Sequence, residues 1–274
     1  MLILSLFPGL DLLGCAFENF GYCVVRGPEL FLGQDIRKFT PPPNLFWGVI
    51  GGPPCQDFSQ LRRTAPTGYG LEMLSQFARV VCQARPQWWL MENVPRVPDL
   101  KIDGYYWQRI DINQGWYETV TRLRHYQFGS MTPRLLNIPR GEILPHCDGA
   151  ALASDDRPLN KLLQIQGLPP TFADKLTFNN GISPFKKAGI KTMVGNGVPL
   201  RVGKILASEI KNIFEASPLP TQATFNGNHK ILNRCLCPCK RSITPPQTYY
   251  DYACRKRMER RRIEQKETVT WPIQ

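Results

Sequence analysis

Between positions 2 and 94, short apolar runs alternate with stretches whose apolar residues recur at helical spacing. This alternation is typical of a mostly parallel sheet with helices on both faces. Strands are predicted at 2–7, 22–26, 45–50 and 88–91, and helices at 10–20, 71–85 and 202–214. The short link between Val25 and Leu45 leaves little room for a crossover helix. The sequence therefore predicts an α/β fold whose sheet is trimmed at that point.

The second half of the chain departs from this pattern. Apolar and polar residues alternate from 110 to 128, which predicts antiparallel strands. Residues 129–157 are rich in Pro, Gly and polar side chains and are predicted to be loops. Ser217-Pro218-Leu219-Pro220 indicates a linker before a final segment of different composition.

Charge and cysteine content restrict the function classes. The net charge is +12, which favours a polyanionic partner. No apolar run reaches the roughly 20 residues needed to span a bilayer, so no membrane association is expected. The 9 cysteines are odd in number and lack disulfide-framework spacing. The sequence thus favours a protein of a reducing cytoplasm.

Cys55 follows a Gly-Gly-Pro-Pro turn at 51–54, directly after a predicted strand. Prolines stiffen such a turn and glycines allow a substrate to approach closely. Reactive groups gather where the strands of parallel sheets end. A buried structural cysteine fits the same turn, because free cysteine often behaves as a small hydrophobe. The turn alone leaves both interpretations open.

Pro53-Pro54-Cys55-Gln56, followed by Phe58-Ser59, resembles the nucleophile motif of the cytosine-C5 DNA methyltransferases. The resemblance implies that the Cys55 thiolate attacks C6 of a cytosine flipped out of the helix. This addition makes chemical sense, because C5 is a poor nucleophile until addition at C6 makes the ring enamine-like.

Two further segments resemble motifs of the same family. Glu92 lies in Glu-Asn-Val, whose glutamate contacts N3 of the flipped base; a surface salt bridge is the alternative. Arg122 and Arg124 resemble the Arg-x-Arg motif, which implies that Arg124 binds the cytosine O2. Solvated arginines on a hairpin strand are the alternative. The family has Gln where this chain has Val120, which puts one supporting contact in doubt.

The resemblance also implies a pocket for S-adenosylmethionine. Phe7-Pro8-Gly9-Leu10 resembles a Phe-x-Gly-x-Gly loop, with Asp11 in place of a glycine. Asp11 either faces the cofactor's ammonium or caps the following helix. By resemblance, Glu29 holds the ribose, Asp35 reads the adenine amino group, and Asn196 borders the methionine portion. The full set of implied cofactor-binding residues is Phe7, Gly9, Leu10, Asp11, Glu29, Asp35, Ile36, Pro54, Asn196 and Val198.

The resemblance divides the chain into a Rossmann-like catalytic domain with appended parts. The predicted parts are a catalytic methyltransferase domain at 1–128, a small target-recognition lobe at 129–190, a return to the catalytic domain at 191–216, and a linker with a Cys-rich, basic module at 217–274. Gln164–Pro169 loosely resembles the motif flanking the recognition region. Only Ser130 to Asp156 remains for reading sequence, which implies a short or relaxed target site or help from elsewhere.

The C-terminal module carries two open features. Four thiolates could hold one structural zinc, namely Cys235, Cys237, Cys239 and Cys254. Their spacing is not a standard pair of Cys-x-x-Cys motifs, and unpaired thiols in a tail are the alternative. The basic run at 255–262 fits either phosphate binding or a solvated tail.

The sequence therefore predicts a DNA (cytosine-5-)-methyltransferase that uses S-adenosylmethionine. It resembles the short phage- or prophage-type members. It is expected to modify double-stranded DNA as a protection against restriction and to act as a cytoplasmic monomer. Two alternatives remain. One is the same chemistry on tRNA, and the other is a catalytically degenerate basic DNA-binding protein, which Asp11 and Val120 favour.

Overall fold

The structure is a computed structural model that describes residues 1–59, 65–143, 148–152, 155–172 and 187–215, with short strands at 233–234 and 242–243. Residues 1–219 form one compact unit and residues 220–274 a second. In the second unit, Asn233–Arg234 pairs antiparallel with Ser242–Ile243. The four cysteines predicted to bind zinc lie outside the described residues. Within the described ranges, no three His, Cys, Asp or Glu side chains are grouped to hold a metal.

A six-stranded sheet forms the centre of the first unit. Four parallel strands stand in the order β2-β1-β3-β4, and their bounds are β1 Leu2–Leu6, β2 Cys23–Arg26, β3 Gly48–Gly51 and β4 Trp88–Asn93. Two antiparallel strands, β7 Leu123–Ser130 and β5 Tyr106–Asn113, extend the sheet beyond β4. The predicted parallel sheet and antiparallel addition are both confirmed.

Helices cover both faces of this sheet, as the alternating sequence pattern predicts. Helices α1 (Leu12–Glu18) and α5 (Leu200–Glu215) share one core with Ile3, Ile50 and Trp88. Helix α2 (Tyr69–Ala84) packs on the other face against Leu4 and Val49. Successive strand residues therefore enter opposite cores, which explains why β3 and β4 are buried along their whole length. None of the described helices is long and apolar enough to cross a membrane.

The link between β2 and β3 contains two 3₁₀ turns, Leu30–Leu32 and Ile36–Lys38. The carboxylates of Glu29 and Asp35 cap these turns by accepting main-chain hydrogen bonds. The expectation that this link is too short for a crossover helix is therefore confirmed.

A third apolar cluster lies around two helices that sequence periodicity did not predict, α3 (Leu159–Ile165) and α4 (Lys187–Asn196). Leu162 and Val194 pack there with Leu12 of α1. Next to them, β6 (Val120–Thr121) pairs in parallel with β8 (Asp148–Gly149). The domain boundaries proposed within 1–216 stay a prediction.

Candidate active site

The carboxyl ends of β1, β3 and β4 open into a cavity of about 480 Å³. Every residue predicted from sequence to act in catalysis or cofactor binding lines this cavity. These residues are Cys55, Glu92, Arg122, Arg124, Phe7, Gly9, Leu10, Asp11, Glu29, Asp35, Ile36, Pro54, Asn196 and Val198. Parallel strands all end at the same edge, so loops that are distant in the sequence meet there.

The loop that carries Cys55 is held on both sides. The Asn93 side-chain amide donates to the Pro53 carbonyl at 3.0 Å. Beyond Cys55, the Asp57 carboxylate accepts from the Gly70 amide at 2.9 Å and from Thr67. Because Gly70 lies in the first turn of α2, these bonds tie the loop to the start of that helix. The half-buried thiol is therefore presented by a braced turn.

Burial raises the pKa of the Cys55 thiol, and the charge of Glu92 raises it further. Arg124 and, more weakly, Arg122 act in the opposite direction. The nucleophilic form of cysteine is the thiolate, so these neighbours set how readily Cys55 can react.

Glu92 and Arg124 face the cavity from adjacent strands. Glu92 is only 8% exposed, and its Oε1 lies 3.3 Å from Nε of Arg124. Burial raises the pKa of Glu92, while Arg124 and Arg122 oppose this rise. The alternative of a surface salt bridge does not fit, because the carboxyl is desolvated. Glu92 therefore keeps its proton to a higher pH in this site than a glutamate in water does.

Arg122 is 4% exposed and does not match the alternative of a solvated arginine. Its Nη2 donates to the Gly195 carbonyl at 2.9 Å, and its Nη1 to the Ala151 carbonyl at 3.4 Å. Burial lowers the pKa of Arg122 to about 10, with Arg124 adding to this and Glu92 opposing it. Its guanidinium is thus bound to main-chain carbonyls while it borders the cavity.

The loop after β1 has an unusual backbone. Phe7, Gly9 and Asp11 have φ angles of 53°, 53° and 52°, a left-handed conformation that is uncommon for residues other than glycine. The Gly9 amide donates to Glu29 Oε2 at 2.8 Å, which joins this loop to the segment that follows β2. Strained backbone of this kind gathers at ligand-binding sites.

Asp11 takes the second of its two predicted roles, that of a helix cap. Its Oδ1 accepts from the Gly14 amide at 3.1 Å and from the Ser5 hydroxyl at 2.7 Å. Its Oδ2 pairs with Arg26 Nε at 3.0 Å. Burial raises the pKa of Asp11 to about 6, against the opposing effects of Ser5, Arg26 and Gly14. The carboxylate is therefore engaged by protein groups.

Two further residues lie at the third apolar cluster: Val120 belongs to it, and Gln166 directly follows helix α3. Val120 is buried in it, so the residue that replaces the family's Gln serves apolar packing. Gln166 is fully buried and donates from Nε2 to the carbonyls of Val194 and Gly197. These bonds fix the segment on which Asn196 and Val198 reach the cavity.

Sequence reasoning assigned no roles to Asn93, Asp57, Arg26 or Gln166. Asn93 and Gln166 lie inside quoted motifs, so their motif membership was an available signal. The partners of Asp57 and Arg26 are set by tertiary contacts, and no local pattern indicates them.

Part of the chain matches a known protein family. The model of the C-5 cytosine-specific DNA methylases matches residues 33–110, a span that includes Cys55 and Glu92. The type II methyltransferase M.HindV of Haemophilus influenzae is 25% identical over 258 aligned positions, covering 68% of this chain and 80% of the relative. M.HgiDI of Herpetosiphon aurantiacus is 46% identical over 55 residues, covering 20% of this chain and 18% of the relative.

Solved structures share the fold at low sequence identity. A DNA modification methyltransferase encoded within an E. coli prophage superposes with a TM-score of 0.55 at 16% identity, covering 78% of this chain and 99% of that one. The Dnmt2 methyltransferase of S. pombe gives a TM-score of 0.53 at 11% identity, covering 80% and 99%. The Rossmann-like fold expected from the sequence is the fold of these methyltransferases.

Proposed function

Because the chain belongs to the C-5 cytosine-specific DNA methylase family, we propose that it transfers a methyl group from S-adenosylmethionine to C5 of cytosine in double-stranded DNA. The observation that carries this proposal is that Cys55, Glu92 and Arg124 border the same cavity as the implied cofactor residues. One cavity can thus bring a base and a methyl donor together.

The residues present fit this cofactor. Gly9 has open space where a Cβ would stand, so a ligand can approach the main chain there. Glu29 and Asp35 offer carboxylates to hydroxyl and amino donors, and Asn196 adds a side-chain amide to the lining of the cavity. When bound, the cofactor supplies an electrophilic methyl group.

Cys55 and Glu92 prepare the base. The thiolate sulfur forms a bond to C6, and the electron pair released toward N3 is met by a proton held on Glu92. The raised pKa of Glu92 favours that protonated form. A protonated Glu92 also no longer opposes the Cys55 thiolate electrostatically, so the two functions support each other.

Arg124 serves both partners. Its guanidinium borders the cavity beside Glu92 and lowers the pKa of the Cys55 thiol. A planar fork can also donate to the cytosine O2. C5 takes the methyl group and leaves S-adenosylhomocysteine, and the N3 proton returns to Glu92. Loss of the C5 proton to water then forms the C5=C6 double bond and expels the Cys55 thiolate. Proton and thiolate leave together, so the base becomes 5-methylcytosine and the enzyme is restored.

We propose that the modification protects phage or host DNA from restriction in a bacterial cytoplasm and that the enzyme acts as a monomer. The similarity to type II methyltransferases and to a prophage-encoded enzyme supports this role. Net positive charge favours association with DNA phosphates.

Bisulfite sequencing of genomic DNA from cells expressing the full chain tests the proposal. We expect protected cytosines in a defined sequence context, and none in cells expressing Cys55→Ala. Parallel bisulfite sequencing of cellular tRNA distinguishes the RNA alternative. Protected cytosines in tRNA with none in DNA would refute the DNA assignment, and none in either would favour the degenerate binding protein.

A further inference from the structure

Arg122 lies where three parts of the structure meet. It stands between β6 and β7, the second of which carries Arg124. One terminal nitrogen binds Gly195, next to Asn196 of the cofactor segment. The other binds Ala151, beside β8 in the segment predicted to read DNA. One side chain therefore contacts two separate parts of the chain. Residues 194–198 are called the cofactor segment, and residues 148–152 the DNA-facing segment.

Arg122 does not stand alone between the two segments, because Lys191 of α4 donates to the carbonyls of Asp155 and Asp156. Arg157 donates to the carbonyls of Gly149 and Ala150 and pairs with Asp155. Gln166 donates to Val194 and Gly197 on the cofactor side. The bonds of Arg157 named here brace the DNA-facing segment and those of Gln166 the cofactor segment, whereas the two bonds of the Arg122 guanidinium reach both.

The chemistry of arginine suits such a bridge. Its rigid, planar fork donates in two directions at once, which a lysine ammonium on a flexible stem does not reproduce. Because Arg122 is buried, loss of the side chain leaves two carbonyls without this donor in a desolvated place. A displacement of one segment is therefore passed to the other through two charge-assisted hydrogen bonds, of which the bond to Gly195 is the shorter.

We propose that Arg122 is a positioning residue that couples occupancy of the cofactor pocket to DNA binding. This inference rests on the proposed function, because it takes S-adenosylmethionine and DNA as the two ligands. Cofactor contacts at Asn196 and Val198 order the end of α4, and Arg122 transmits that order to residues 148–152. DNA binding strengthens the cofactor site by the same factor, because coupling between two sites is reciprocal.

The test measures binding and not turnover, since Arg122 also affects the pKa values of Glu92 and Cys55. Affinity for a fluorescent duplex carrying the sequence found by bisulfite sequencing is measured with and without saturating S-adenosylhomocysteine. We expect the full-length wild type to bind DNA at least about fivefold more tightly with the cofactor product. In Arg122→Met this ratio should fall close to one.

Two variants provide matched controls. Arg157→Met should weaken DNA binding, and Gln166→Leu should weaken S-adenosylhomocysteine binding, while both keep the wild-type ratio. Arg122→Lys keeps the charge but cannot span both carbonyls, so it should lose the ratio too. Arg122→Lys carries the test if Arg122→Met fails to fold by circular dichroism.

Three results would overturn the inference: a wild-type ratio of one, an unchanged ratio in a folded Arg122 variant, or an equal loss of the ratio in both controls. Failure of the proposed function looks different, because a wild type that binds no S-adenosylhomocysteine, or methylates no DNA, is recognised before any variant is compared.

Discussion

At the scale of single residues, Asp11 connects local strain to charge. It adopts a left-handed conformation, caps α1 and pairs with Arg26 inside the first loop. A left-handed position at this point favours glycine, and a carboxylate there is compatible with the fold because three protein groups surround it. Asp11 therefore stabilises the loop. Its presence in place of a glycine is a weaker argument for a catalytically degenerate protein than the sequence alone indicated.

Asp11 predicts a pH-dependent contribution to stability. Its pKa is raised from 3.8 to about 6 in the folded protein, so the native state holds the proton more firmly than the unfolded chain. The stability contributed by Asp11 should fall as pH rises between these values. Asp11→Asn keeps the oxygen acceptor but cannot ionise. The free energy of unfolding of this variant should therefore increase relative to that of the wild type as pH rises from 4 to 7. Urea unfolding across this range measures the difference.

Asp35 serves as the control of opposite sign. The main-chain hydrogen bond from Arg37, followed by that residue's side chain, lowers the pKa of Asp35. The stability contributed by Asp35 is therefore present above its unfolded pKa and is lost as pH falls. At neutral pH, Asp35→Asn should have a lower free energy of unfolding than the wild type. If both variants respond to pH in the same direction, the assigned cause of the Asp11 shift is wrong.

The Cys55 thiol predicts two further effects of opposite sign. Removal of the Glu92 charge in Glu92→Gln should lower the pKa of Cys55, whereas Arg124→Gln should raise it. The rate of Cys55 alkylation by iodoacetamide against pH, followed by mass spectrometry of the Cys55 peptide, reports both pKa values. Methyl transfer should fall in each variant by roughly 10²–10⁴-fold, as expected for loss of a positioned acid or charge.

Glu215→Gln, at an exposed position of α5, should leave both the alkylation profile and the rate unchanged. Identical alkylation profiles for Glu92→Gln and Arg124→Gln would contradict the electrostatic assignment.

At the scale of elements, the end of β4 supports the nucleophile loop. The strand continues to Asn93 because β7 pairs with it through Asn93 and His125. Asn93→Ala removes the bond to the Pro53 carbonyl, so the loop should sample more positions and kcat should fall by tenfold or more. S-adenosylhomocysteine affinity should change little, which calorimetry can check.

Gln127→Ala is a suitable control for this prediction. Gln127 is a buried amide of the neighbouring strand, and it exchanges hydrogen bonds with the main chain of Leu100. Its removal should lower stability without slowing alkylation of Cys55. An equal loss of kcat in both variants would indicate general destabilisation and not loop positioning.

The packing between β4 and β7 requires a glycine at position 129. A Cβ on Gly129 of β7 would stand 2.2 Å from the Trp89 ring of β4. Gly129→Ala should therefore cost at least about 1–3 kcal/mol in the free energy of unfolding, as overpacking does. Gly149→Ala is the matched control, since a Cβ there meets nothing within 4 Å. Thermal unfolding of both variants checks the prediction, and equal losses would contradict it.

At the same scale, sequence patterns predicted strands and large helices better than short ones. The apolar runs of β1 to β4 and the amphipathic α2 and α5 carry local signals strong enough to read. Helix α4 was not predicted, because Asn196-Gly197 is a turn signal and the helix before it depends on packing of Met193 and Val194 in the third cluster. Similarly, helix α1 begins only at Leu12, since Asp11 occupies the cap position.

At the scale of the whole molecule, the predicted site residues meet because of topology. Phe7, Cys55 and Glu92 all follow or end parallel strands, and that order alone brings them to one edge. The bonds of Arg122 to Ala151 and Gly195 span 29 and 73 positions and could not be read from spacing. Sequence therefore predicted which residues surround the cavity, whereas their mutual support required the structure.

The most direct test of the proposed chemistry is covalent trapping of Cys55. A duplex with 5-fluorocytosine at the target position has no C5 proton to lose, so the adduct cannot be released after methyl transfer. Wild type with S-adenosylmethionine should form a complex that survives denaturation, and the Cys55 peptide should carry the methylated base. Cys55→Ala should form none. A stable adduct on another residue, or methylation of ordinary cytosine with no adduct on the fluorinated duplex, would contradict the assignment of Cys55 as the nucleophile.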